Sequence, residues 1–189
     1  MGSNNFDIVV IGSGVIGHSI AFRLKQDAPH LKIAVLGDPV NSLQASRAAA
    51  GMLAPFCECD KADRFFKFCR ESLDKFPEFL RELISVSKIS VHYSFEGSWM
   101  PSSSYRETWE ERKSFFAEEN IPHEIWNIDK VRQKAPYLSQ DCGEVMWVGE
   151  GQVNNRQMHD ALMQASKNLG NHVLEANVSG FIRQDSTIA

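Results

Sequence analysis

Gly12-Ser13-Gly14-Val15-Ile16-Gly17 is a G-x-G-x-x-G motif set between two apolar runs, "FDIVVI" and "VIGHSIAF". Phe6 to Ile11 is continuous and rich in β-branched residues, the pattern of a strand buried on both faces of a parallel sheet. From Val15 to Ala28 the residues Val15, Ile16, Ile20, Ala21 and Leu24 recur near helical spacing, and Pro29 then stops the helix. "KIAVL", Lys32 to Leu36, predicts a second buried strand. Strand, glycine turn, helix and strand in this order make a βαβ unit with a right-handed crossover.

At the junction of a strand and a helix, each glycine of the motif has a physical task. Gly12 permits the tight turn, Gly14 lets backbone approach a pyrophosphate, and Gly17 lets helix and strand pack closely. The N–H groups of Ser13 to Gly17 then lie where a helix start attracts phosphate. Folds of this kind carry an acidic residue at the end of the second strand to bind ribose hydroxyls. Here that position is Gly37, and Asp38 follows it, so either Asp38 reaches the ribose from a shifted loop or the contact is absent. The motif alone does not separate FAD from NAD. His18, on the first helical turn, is read as a packing or surface residue.

Further along, Phe65, Phe66, Cys69, Leu73, Phe76, Leu80 and Leu83 predict one amphipathic helix over 60–85, bent or broken at Pro77. The middle changes character: 89–93, "GSWMP", "IPHEIWNI" and "GEVMWV" predict short, half-exposed antiparallel strands, with polar helices over 105–120 and 129–134 between them. Trp99, Met100 and Trp147 lie in these strands and serve equally as core or pocket. Asn154 is a suitable N-cap for a helix carrying Met158, Leu162, Ala165 and Leu169, with Gly170 as its C-cap, and a strand-like segment follows.

With 43% hydrophobic and 23% charged residues the 189-residue chain can bury a core, and a net charge of -4 removes any reason to expect nucleic acid. No apolar stretch approaches the roughly 20 residues of a membrane span, and "MGSNNFD" is unlike a secretory signal, so the expected location is the cytoplasm. Cys57, Cys59, Cys69 and Cys142 fit no paired metal-ligand spacing, and Cys57-Glu58-Cys59 is read as structural.

"ASRAAAGMLAP", Ala45 to Pro55, with "FCECDKADRFFKFCRESL" after it and "EGQVNNRQMHDALMQASKNLG" later, resembles the amine and amino-acid oxidases of the D-amino-acid oxidase superfamily, most closely glycine oxidases. The resemblance implies an α/β fold: a Rossmann-like FAD-binding domain, discontinuous and incomplete, over 1–86 and 151–189, with part of an antiparallel substrate-domain sheet inserted over 87–150. It implies that the segment Ser46, Arg47, Ala48, Ala49, Ala50, Gly51 and Met52 crosses the flavin, its small residues leaving backbone close to the cofactor. Relatives that bind flavin covalently carry a histidine where this sequence has Ala48, so the implied FAD is noncovalent. The implied cofactor-binding set is Gly12, Ser13, Gly14, Val15, Ile16, Gly17, Asp38 and residues 46–52.

The resembled enzymes have a second half, which supplies the arginine that pairs with a substrate carboxylate, and residues 1–189 match none of it. The catalytic residues are therefore expected outside this chain. The expectation is the N-terminal half of an oxidase acting on a small amine or amino acid, completed by a second polypeptide in a heteromer and inactive alone. A noncatalytic FAD- or ADP-binding regulatory subunit is the alternative, and a nicotinamide dehydrogenase would share only the βαβ unit.

Overall fold

The computed structural model describes residues 5–38, 45–184 and 187–188. In chain order the elements are β1 (Ile8–Ile11), α1 (Val15–Asp27), β2 (Ile33–Gly37), α2 (Ala45–Ala48), β3 (Met52–Leu53), α3 (Pro55–Glu58) and α4 (Arg64–Ser87). Then follow β4 (Tyr93–Ser94), β5 (Ser98–Pro101), α5 (Trp109–Glu118), β6 (His123–Trp126), α6 (Ile128–Lys134), β7 (Val145–Val148) and β8 (Gly151–Val153). The chain continues through α7 (Asn155–Asn168), β9 (His172–Glu175), β10 (Arg183–Gln184) and β11 (Thr187–Ile188). Two compact units result: Met1–Ala50 with Leu80–Val91 and Asn154–Ala189, and Gly51–Phe79 with His92–Val153.

The first unit is built on a parallel sheet in the order β1-β2-β9. β2 lies in the middle, and its Ile33, Ala34 and Val35 are fully buried, as a continuous apolar run predicts. β1 departs from the expectation of two buried faces: Val9 and Ile11 are 47% and 50% exposed. Alternation along the strand sends Ile8 and Val10 into a cluster with Ala21, Leu24, Ile33 and Val35, and turns Val9 and Ile11 to the other face. Among the described residues β1 pairs only with β2, so nothing extends the sheet on its far side. α7 forms as its sequence demands. The Asn154 side chain accepts the Gln157 N–H at 3.1 Å, and Gly170 takes φ +80° one residue beyond the cap Leu169, where a left-handed residue closes a helix.

The second unit holds two antiparallel sheets, β3-β8-β4 and β5-β7-β6. In the second of these β7 is central and buried, whereas its neighbours β5 and β6 are partly exposed as predicted, Ile125 at 42%. Met100, Met146 and Val148 pack with Phe56, Phe66, Phe115 and Phe116 on one face, while Val145 meets Trp126, Val131 and Cys142 on the other. Helices on both sides thus bury it. The strand predicted over 89–93 is reduced to β4, and α5 begins at Trp109 because 102–104 form a 3-10 turn closed by the Tyr105 N–H on the Ser102 carbonyl. α4 is not broken at Pro77: it continues on both sides, although proline leaves the Leu73 carbonyl without its helical donor.

Candidate functional site

The glycine loop of the first unit has the shape its spacing requires. Gly12 takes φ +113°, a backbone that other residues rarely adopt, and its N–H donates to the Leu36 carbonyl at 2.8 Å, tying the turn to β2. A Cβ at Gly12 would meet nothing within 4 Å, whereas one at Gly17 would collide with the Gly12 carbonyl oxygen. The loop therefore lies flush against α1 and opens outward at Gly12. The helical ladder begins with the His18 N–H on the Gly14 carbonyl at 3.1 Å, which leaves the N–H groups of Val15, Ile16 and Gly17 outside it. The residues present suit a pyrophosphate: open space at Gly12 and helix-start donors beside it, where a dipole favours negative charge.

Ser46, on α2, enters this loop directly. Its Oγ accepts the Val15 N–H at 2.9 Å, and it fills the space in front of Gly14, where a Cβ would come within 2.9 Å of that oxygen. Arg47 is held by Asp160 at 2.7 Å. The structure thus brings Gly12 to Gly17 together with Ser46 and Arg47. Ala48, Ala49 and Ala50 are exposed, while Gly51 and Met52 belong to the second unit, Met52 on β3. Asp38 is exposed directly after β2. At Gly37, the usual acidic position, a Cβ would lie 2.6 Å from Ser13 Oγ and 2.8 Å from the Ser13 backbone nitrogen.

Four residues of α7 that the motif reading passed over tie these pieces together. Asn155 Nδ2 donates to the Ser46 carbonyl at 2.8 Å and Arg156 Nε to the Arg47 carbonyl at 3.3 Å. Asp160 holds Arg47, and His159 Nε2 lies 2.9 Å from the Ser13 carbonyl oxygen. The sequence does carry a signal for them. In "NRQMHD", residues 155 and 159, and 156 and 160, are i, i+4 pairs, a polar stripe on a helix whose Met158, Leu162 and Ala165 are buried.

His18 and His159 are both fully buried, their rings 5.7 Å apart and edge to face. His18 Nδ1 meets Ser166 Oγ at 3.3 Å, and its Nε2 is buried without a partner among the described residues. Burial, with His159 and Lys167 nearby, pulls His18 from 6.5 down to about 4, so it is neutral in ordinary buffers.

In the second unit a cleft of about 310 Å3 is lined by Met52, Ser94, Gly97, Trp99, Gly151 and Gln152. Trp99 borders this cleft, and Met100, next along β5, faces the core at 2% exposure. Trp147, opposite Trp99, donates its Nε1–H to the Glu96 carbonyl at 2.9 Å. Glu150, immediately before β8, is fully buried, and its Oε1 accepts the N–H groups of Phe56 at 2.5 Å and Cys57 at 2.9 Å. Burial raises the Glu150 carboxyl and pushes the Cys57 thiol up, which leaves that thiol unreactive. All four cysteines are free, and no group of His, Cys, Asp and Glu among the described residues could hold a metal. No described helix is long and apolar enough to cross a membrane.

The sequence profile described as DAO, FAD dependent oxidoreductase, matches residues 7–189. The chain belongs to the FAD-dependent oxidoreductase family. A bifunctional ThiO/ThiG protein of Synechocystis is 29% identical over 177 residues, covering 89% of this chain and 24% of that protein. The glycine oxidase of Bacillus subtilis is 25% identical over 173 residues, covering 90% of this chain and 45% of the enzyme. The crystal structure of glycine oxidase from Bacillus cereus superposes with a TM-score of 0.84 at 24% identity, covering 97% of this chain and 50% of that one. The chain therefore spans half or less of these three proteins, and its fold is the mixed α/β fold of the glycine oxidase structure, with small and incomplete sheets.

Proposed function

We propose that this chain is the N-terminal half of an FAD-dependent oxidase of small amines or amino acids, glycine-oxidase-like, and that a second polypeptide completes it. The observation that carries this reading is the glycine loop, flush against α1 and open at Gly12, with Ser46 brought in from the segment that resembles the flavin-crossing stretch. The relatives' printed names, glycine oxidase among them, support the substrate class.

Bound FAD would supply the hydride acceptor for oxidation of a C–N bond to an imine, with oxygen as the final acceptor. The chain's own contribution is to bind and orient. Gly12, Ser13 and Gly14 with the N–H groups of Ile16 and Gly17 would hold the pyrophosphate, and Ser46, which takes the Val15 N–H, and Arg47 would border it. Exposed Ala48, Ala49 and Ala50 leave room for a flat ring system, with Gly51 and Met52 next in the chain. The Ala48 side chain is a methyl group, with no nucleophile to bond flavin, so retention would be noncovalent at that position. Asp38 would reach the ribose only from the loop after β2. The groups that hold the substrate carboxylate would come from the completing polypeptide.

The test is size-exclusion chromatography with mass detection and a full absorbance trace, on the protein purified from its own cells. Co-elution with a second polypeptide and a releasable yellow flavin supports the reading. A complex whose flavin no amine bleaches would instead make the chain a noncatalytic binding subunit, and a colourless chain eluting alone would overturn both.

A further inference from the structure

We infer that His159 is a positioning residue that aims the Gly14 N–H of the glycine loop at the ligand, a role that rests on the loop being the pyrophosphate site. A carbonyl oxygen only accepts, so the 2.9 Å contact between His159 Nε2 and the Ser13 carbonyl fixes the imidazole proton on Nε2. Nδ1 is then an acceptor, and Arg47 NH1 donates to it at 3.4 Å while Asp160 holds the same guanidinium nitrogen at 2.7 Å. The ring is thereby locked in one tautomer and one orientation, with its edge against the equally buried His18.

The consequence follows from peptide geometry. The bond between Ser13 and Gly14 is planar and trans, so its carbonyl and its N–H point in opposite directions. With the carbonyl drawn inward to α7, the Gly14 N–H is turned away from α7, out of the core. Gly14 has no side chain to resist a flip of this peptide, and a flipped peptide would present an oxygen to an anion in place of a donor. His159 supplies the restraint that glycine lacks, from 146 residues away.

The test compares His159→Leu, His159→Gln and His159→Asn with Gly14→Asp, each introduced at the gene and purified as the protein occurs. Affinities for FAD and for ADP are read by flavin fluorescence and by competition, and thermal midpoints are read on the flavin-free proteins. Glutamine places a donor near Nε2 and should bind both ligands as the parent does. Leucine should weaken both about tenfold, in equal measure because the defect lies at the phosphates. Asparagine, polar but too short to reach Ser13, should behave as leucine does, and it decides the matter against glutamine if the leucine variant does not fold. Equal losses in glutamine and leucine would make His159 a packing residue and overturn the inference. So would parental affinity in leucine alongside lost binding in Gly14→Asp. Flavin retained by Gly14→Asp would overturn the pyrophosphate reading itself.

Discussion

Replacing Gly17 by alanine would drive a Cβ into the carbonyl oxygen of Gly12, a backbone atom that has no rotamer to retreat to. The expected outcome is a loss of about 1–3 kcal/mol in denaturant stability together with loss of bound flavin. Gly14→Asp should act differently, because its Cβ meets the movable Ser46 Oγ: the fold should survive while a carboxylate at the helix start expels the cofactor, measured as flavin retained after gel filtration. His18 gives the chain a pH dependence. Its folded value of about 4 lies below the ordinary 6.5, so the unfolded chain binds the extra proton first as pH falls. No cost arises above pH 6.5, the cost grows from 6.5 to 4, and below 4 it is complete at about 3 kcal/mol. The thermal midpoint of the parent should therefore fall across that window more steeply than that of His18→Gln. The glycines were legible in the sequence because their constraints are local. His159 was not, because its partner Ser13 is close only after folding.

Elements were read most reliably where pattern and packing agree. α7 was legible down to Asn154 and Gly170, and Asn154→Ala should cost about 1 kcal/mol by leaving the Gln157 N–H uncapped, measured by denaturant unfolding. α4 is predicted as bent or broken at Pro77, and of these the break does not occur, since an amphipathic face of this length outweighs one missing hydrogen bond. The strands of the second unit were found with their partial exposure, but the burial of β7 on both faces was not, because alternation does not reveal that α6 covers the second face. Glu150 was also beyond the sequence: its role as acceptor for two α3 N–H groups joins residues 93 and 94 positions apart. Glu150→Ala should cost about 2–3 kcal/mol, with Glu150→Gln recovering part through its amide oxygen, both read from chemical denaturation.

At the scale of the whole molecule, the family and the α/β class were legible because the glycine motif and the 45–55 segment are local signatures. The bare face of β1 was not, because an apolar run does not say how many sides are covered. Val9 and Ile11 are 47% and 50% exposed on a strand whose far edge nothing pairs among the described residues, and Ile16 and Ile20 of α1 are 74% and 47% exposed. The isolated 189-residue chain should accordingly bind a hydrophobic dye and sediment above its 21.3 kDa mass, and Val9→Lys with Ile16→Lys should reduce both. The tie between α7 and the glycine loop also sets a timetable for synthesis. The loop leaves the ribosome early, but the residues that brace it, Asn155 to Ser166, emerge only after some 140 further peptide bonds have been made. A nascent chain paused anywhere in that interval has the glycine loop without its brace, so if that loop holds the cofactor as proposed, capture is a late event of translation.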